Sequence, residues 1–289
     1  MSLLTLGRAR MSKQADALDK KQLQSFHENG YVVLPKFFSD DELAMVQHAM
    51  DRAWGDSSIY NNLTVSAYTG TPQYTETYLR NVDRDARNYQ YKLNHLYLYD
   101  ARVLGLLMSD KLQKVLGRLL DGTPLMFNGL NFEKGSEQRF HFDTFYMPPK
   151  TYGKMVATWI ALEDIHPDSG PLNYYPKSNQ IPAYRFGHGG IWAVPSEMPE
   201  FDKYVDREIA ERGLRPEGFS PKKGDMFIWH AQLYHGGGKI NDRSRTRKSM
   251  VNHFWTVEDD RERALEVAPG KFMLRNQDIF VSPIFKPVI

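Results

Sequence analysis

From Pro124 to Trp255 the apolar residues come in short runs cut by Gly, Pro, Asp and Asn. Runs of this length suit strands and leave no room for long helices, so this half of the chain is expected to close into a sandwich or barrel. The strands predicted are Pro124 to Phe132, Phe140 to Tyr146, Met155 to Leu162, Pro171 to Tyr175, Met226 to His230 and Lys248 to Trp255. The first half reads differently. Leu23 and Phe26 share a helical face that Gly30 closes, and Tyr31 to Leu34 forms a short strand. Ser39 stands three residues before Glu42, a capping-box spacing, and Leu43, Val46 and Met50 recur at helical intervals through Trp54. Ser109 to Gly122 repeats the pattern with Leu112, Val115, Leu116 and Leu119. Between these helices, Ile59 to Tyr99 is rich in Tyr, Asn and Thr with little periodicity, which suggests a long surface excursion with functional rather than core duties. The expected class is therefore mainly β with flanking helices. Residues 15–289 are read as one domain behind a disordered leader at 1–14, with an insertion at about 181–219 over one mouth of the barrel.

Composition narrows the partners. A net charge of +2 is too small to recruit nucleic acid or an anionic membrane by itself. No apolar run approaches the roughly 20 residues of a bilayer span. The chain has no cysteine, which removes disulfides, iron–sulfur clusters and thiol nucleophiles and fits a cytoplasmic setting. Any metal has to be held by His, Asp or Glu, and the expected partner is a small molecule, with no nucleic acid and no membrane.

One constellation carries chemistry. On a strand, residues i and i+2 face the same way, so His141 and Asp143 in Arg139-Phe140-His141-Phe142-Asp143 can present a nitrogen and an oxygen to one ion. His235 is the best third donor, because Gly236, Gly237 and Gly238 let the backbone approach a crowded site. Two imidazoles and one carboxylate on one face of an ion leave open positions and point to non-heme Fe(II), which can pass electrons to O2. Arg247, twelve residues past His235, can grip the far carboxylate of a dicarboxylic keto acid with its planar fork while the keto-acid end chelates the metal. That co-substrate would be 2-oxoglutarate.

The order His141-x-Asp143, Trp159-Ile160-Ala161-Leu162-Glu163-Asp164, Ser169-Gly170-Pro171-Leu172, Lys223-Gly224-Asp225, His235-Gly236 and Arg247 resembles the phytanoyl-CoA dioxygenase family from about Leu23 to Phe254. The resemblance implies a double-stranded β-helix, a cupin-like jelly roll. It implies iron on His141, Asp143 and His235, 2-oxoglutarate on Arg247, and Trp159 lining the co-substrate pocket. Lys92 and Asn131 sit roughly where family members place co-substrate contacts. Gly237 stands where the family often has Ser, and one extra residue follows before Asn241; Arg247 fits the co-substrate position best, Arg245 is the alternative, and Arg243 reads as a solvated loop charge. The implied reaction is hydroxylation or another oxidation at carbon of a small organic molecule, a specialised metabolite rather than a fatty acyl-CoA, with release of succinate and CO2. Halogenation is disfavoured because relatives that halogenate lack the carboxylate ligand.

The other histidines have plainer readings. His230 lies an odd number of residues before His235 and is read as structural; His253 is read as core or as support behind the ligands. His27, His48, His166 and His188 are read as surface or hydrogen-bonding residues. Two rival functions share the same residues. A zinc-dependent jelly-roll enzyme could use the three donors as a Lewis-acid site but leaves Arg247 and Trp159 without a task. A catalytically silent jelly-roll binding module would keep them only as structure.

Overall fold

Asp19 starts the first helix, α1 (Lys20–Asn29), by a reciprocal cap: its carboxylate accepts from the Gln22 N–H and the Gln22 side chain accepts from the Asp19 N–H, both at 2.8 Å. The computed structural model describes residues 18–56, 58, 60–68 and 74–275, so the leader expected at 1–14 lies outside the described residues. Gly30 ends α1 in the left-handed region at φ 83°, where a Cβ would also press on the Asn179 side chain at 2.8 Å. Strand β1 (Tyr31–Leu34) follows, then α2 (Asp40–Gly55), capped by Ser39 and Glu42 as their spacing predicts and burying Leu43, Val46, Met50 and Trp54. Two further helices, α3 (Ala101–Leu107) and α4 (Asp110–Leu120), bury Val103, Leu106 and Leu107 and the leucines of α4.

The segment from Ile59 to Tyr99, expected as a surface excursion, is corrected by the structure. It forms β2 (Thr64–Tyr68), β3 (Tyr74–Tyr78) and β4 (Tyr91–Asn94) with intervening 3-10 turns, and it buries Leu63, Val65, Tyr91, Leu93 and Leu96 almost completely. Its strands are four or five residues long and alternate Thr, Ser, Lys and Asn with the apolar positions, so their period of two is hard to see one strand at a time.

The remaining strands are β5 (Pro124–Phe132), β6 (Val156–Ala161), β7 (Leu172–Tyr174), β8 (Glu217–Phe219), β9 (Met226–His230), β10 (His235–Gly237), β11 (Ser249–Thr256), β12 (Ala264–Ala268) and β13 (Lys271–Leu274). Among the described residues the large sheet runs β1-β9-β6-β11-β5-β4-β2-β3, antiparallel throughout, with β13 joining β5 in parallel and carrying β12. A small antiparallel sheet runs β10-β7-β8. One face of the large sheet, with Val32, Leu34, Ile160, Ile228 and Met250, packs under the helices. The other face presents Phe132, Trp159, Phe227, Trp229 and Val251 toward Leu172 and Tyr174 of the small sheet. Two facing antiparallel sheets backed by helices make a jelly roll, and the space between them holds the site.

Two further expectations change in detail. Phe140 to Tyr146 is not a continuous strand: His141 makes one antiparallel bridge to His235, and the chain then turns into a 3-10 segment, Asp143–Phe145. The Asp143 carbonyl accepts from the N–H groups of Tyr146 and Met147, which starts that turn. Phe142 stays extended at φ −101° and ψ 137°, so the i to i+2 relation between His141 and Asp143 survives. The segment at 181–219 contains α5 (Met198–Glu211), whose Phe201 and Val205 are buried against Phe142, Phe145, Phe186 and Tyr234.

Candidate metal centre

His141 and His235 are brought together by their shared bridge, in which each backbone N–H donates to the other carbonyl, at 2.8 and 3.1 Å. Glycine permits this approach: a Cβ on Gly236 would stand 2.8 Å from the Gln138 carbonyl oxygen and 3.0 Å from the Phe140 nitrogen. Each imidazole is oriented by the backbone two residues before it. His141 Nδ1–H donates to the Arg139 carbonyl and His235 Nδ1–H to the Leu233 carbonyl, both at 2.8 Å, which leaves each Nε2 as the donor atom for an ion. Those Nε2 atoms lie 3.5 and 3.6 Å from Asp143 Oδ1, and the three donor atoms lie within 4.8 Å of one another. The Gln138 side-chain nitrogen sits 3.3 Å from His141 Nε2, donating into the lone pair that an ion would take.

The second oxygen of Asp143 has other work. Oδ2 accepts from Trp229 Nε1–H at 2.9 Å and lies 3.5 Å from His253 Nε2, while His253 Nδ1 is 3.2 Å from the Asn128 amide. Burial alone would raise this carboxyl, but the neighbouring His235, His253 and His141 hold it well below the usual carboxylate range. Burial pushes the His235 imidazole down to about 4 against the pull of Asp143. Near neutral pH the pair is thus an ionised carboxylate beside a neutral imidazole, the protonation states a metal needs. Two tautomer-fixed imidazoles and one carboxylate oxygen fit ferrous iron, and His141 and His235 would share it with Asp143.

A cavity of about 510 Å³ opens beside these donors. Arg247, 4% exposed, lines it, with its guanidinium carbon 5.4 Å from the Trp159 ring centre and 5.5 Å from that of Phe132. Arg245 instead pairs with Asp242 at 2.9 Å and Arg243 with Glu137 at 3.1 Å, both outside the cavity lining. Trp159 and Lys92 line the cavity; burial lowers the Lys92 ammonium against the pull of Glu76. Asn131 does not line it. Along β5 the alternate residues Asn128, Leu130 and Phe132 face the cavity, so Asn131, paired with Met250 and Leu93, points to the opposite side, and the expected co-substrate contact is corrected on that ground.

Other lining residues escaped the sequence. Trp229, Gln138, Asn128 and Tyr146 are there, as is His95, held at φ 57° with its N–H donating to the Gly129 carbonyl. The alternation of Met226 to His230 puts Trp229 on the same face as Phe227, but which strand lies opposite is not written in that run. His253 touches Asp143 from behind, in line with its reading as support. His230 packs near Phe26, and neither it nor His27, His48, His166 or His188 lines the cavity. The 181–219 segment contributes no residue to the lining; Tyr184, Phe186 and Phe201 pack in the cluster behind Phe142. Among the described residues no helix is long and apolar enough to cross a membrane.

Comparison with known proteins agrees with this arrangement. Among solved structures, the α-ketoglutarate-dependent carbocyclase SnoK from nogalamycin biosynthesis superposes with a TM-score of 0.61 at 14% identity, covering 83% of this chain and 85% of that one. EctD from S. alaskensis, solved with 2-oxoglutarate and 5-hydroxyectoine, gives 0.60 at 18% identity over 88% of this chain and 80% of its own. These likenesses establish the jelly-roll fold of the iron- and 2-oxoglutarate-dependent oxygenases. A phytanoyl-CoA dioxygenase domain-containing protein 1 from Rattus norvegicus is 20% identical over 258 residues, 79% of this chain and 87% of the relative. Its Caenorhabditis briggsae homolog is 19% identical over 265 residues, 80% and 88% of the two chains. The profile of the phytanoyl-CoA dioxygenase (PhyH) family matches residues 26–249, and the chain belongs to that family of non-heme iron, 2-oxoglutarate-dependent dioxygenases.

Proposed function

We propose that this dioxygenase hydroxylates, or otherwise oxidises at carbon, a specialised small metabolite, using His141, Asp143 and His235 for iron and Arg247 for 2-oxoglutarate. The single observation that carries the reading is the convergence of the three donors within 4.8 Å in one cavity with a buried arginine. Ferrous iron bound there supplies, with 2-oxoglutarate and O2, the oxidising power to functionalise a C–H bond, with succinate and CO2 as the other products.

The chain's own residues do the positioning. Arg247 offers a planar fork to the far carboxylate of the keto acid, and the rings of Trp159 and Phe132 lie within cation–π distance of its guanidinium. Lys92 is paired in register with Phe132, which supports a role for it at the co-substrate end. Trp229 and His253 occupy Oδ2 of Asp143, so Oδ1 is the oxygen left to the ion. The buried arginine supports this reading over a zinc Lewis-acid site, in which it has no task.

Anaerobic titration of the apo-protein with Fe(II) and 2-oxoglutarate should give a visible metal-to-ligand charge-transfer band, and Asp143→Ala should lose both the band and succinate release. Full turnover in that variant, or no band in correctly loaded wild type, ends the proposal. Substrate-dependent succinate release across a metabolite library then tests the specialised-metabolite assignment.

A further inference from the structure

Strands β4, β2 and β3 extend the large sheet beyond β5 as a wing, and its two faces differ in kind. Val65 and Leu93 on one face are fully buried in the core under the helices. On the other face the register sets Glu76 beside Ser66, Ser66 beside Lys92 and Lys92 beside Phe132, with Asn94 next to Leu130. Ser66, Glu76, Lys92 and Asn94 all line the cavity. The β5, β6, β9 and β11 part of the same face is mostly apolar or aromatic, with Leu130, Phe132, Trp159, Trp229 and Val251, and its polar members Asn128 and His253 are spent on each other and on Asp143.

An antiparallel sheet commonly keeps one polar face simply because water covers it. That account fails for the inner part of the wing: Ser66 and Asn94 are each only 7% exposed. Asn94 spends its amide nitrogen on Thr64 Oγ1 and Ser66 Oγ, both at 3.2 Å, so what it offers a ligand is its carbonyl oxygen. Glu76 adds a carboxylate at the exposed outer edge. Lys92 is shared with the co-substrate end, and across Ser66 its ammonium feels the Glu76 carboxylate, which an arriving amine would share with it. The surface left for the substrate is therefore rich in acceptors.

We propose that the β2–β4 wing is the substrate-selecting wall of the cavity and that it takes a small molecule bearing hydroxyl and amine donors, in the manner of an amino sugar or amino alcohol, rather than an alkyl chain. This rests on the dioxygenase reading above and specifies its substrate class. Laying an alkyl chain on the wall would strip water from the Glu76 carboxylate and the Asn94 carbonyl without replacing their hydrogen bonds, a desolvation loss that hydroxyl or ammonium donors avoid.

The test uses the full chain loaded anaerobically with Fe(II) and 2-oxoglutarate, whose charge-transfer band reports ligands arriving beside the metal. One set of probes holds amino sugars, methyl glycosides and amino alcohols, with glucosamine, methyl glucoside and serinol among them; the other holds decanoate and hexadecanoyl-CoA. The expected result is a saturable band shift, and succinate release on admitting air, with members of the polar set and with none of the acyl set. Glu76→Gln should weaken the amine-bearing binders at least tenfold relative to their N-acetyl counterparts. A silent polar set, a response to the acyl set, or an unchanged amine preference in Glu76→Gln each overturns the proposal while the band itself leaves the dioxygenase reading standing. Absence of the band removes both.

Discussion

Asp143 divides its labour between two oxygens, and the residue behind it sets the division. Trp229 Nε1 fills Oδ2 at 2.9 Å, and a hydrogen bond to a charged group contributes about 1.5–3 kcal/mol. Trp229→Phe should therefore lower the melting temperature of the apo-protein and, because Oδ2 loses its donor, weaken Fe(II) binding roughly tenfold or more, measured by anaerobic titration beside calorimetry; unchanged affinity would show that Oδ2 needs no partner. Arg247→Gln should raise the KM for 2-oxoglutarate at least tenfold, because the remaining amide cannot give a charge-assisted fork. The residues that speak in the sequence are those with fixed local spacing: His141 and Asp143 across one extended residue, and His235 before its glycines. Trp229, Gln138 and His95 are silent because period-two alternation tells which residues share a face, not which strand lies opposite. Asn131 shows the same limit from the other side, one residue from Leu130 and Phe132 and therefore turned away from them.

At the level of elements, α5 acts as a buttress. Phe201 is fully buried against Phe142, the residue between the two ligands, and against Phe145 just after Asp143. Phe201→Ala should cost about 3–5 kcal/mol of stability and loosen the His141 to Asp143 segment, read as a lower melting temperature together with weaker iron binding. A variant that melts earlier yet binds iron as before would confine α5 to stability alone. This helix was hidden in the sequence by the Gly and Pro residues around it, just as β2 to β4 were hidden by their shortness. By contrast α1, α2 and α4 are readable because a stop, a cap or a stripe marks each: Gly30 closing α1, Ser39 with Glu42 opening α2, and the leucine stripe of α4.

At the level of the whole molecule, the imidazoles of His230 and His235 resist protonation. Burial brings both His230 and His235 down to about 4 from 6.5. The unfolded chain then binds protons that the folded one refuses as pH falls from about 6.5 toward 4, so stability drops across that window and is flat above it. The loss is on the order of a few kcal/mol per group. Denaturant unfolding of apo-protein at pH 7 and pH 4.5 should show it, and His230→Phe should flatten part of the slope; an identical slope in that variant would remove His230 from the account. The β-rich class was legible from the short runs after Pro124, yet the joining of distant strands such as β1 to β9 was not, since pairing over such separation leaves no local trace.

The wing of β2, β3 and β4 has one more consequence. Its anchoring side chains and its cavity-facing side chains occupy alternate positions on the same short strands. On the proposed reading of that face, Glu76 can be exchanged without touching the hydrophobic interior, whereas Ser66 and Asn94, bonded to each other, have to be exchanged together for the scaffold to take a new molecule without being refolded around it.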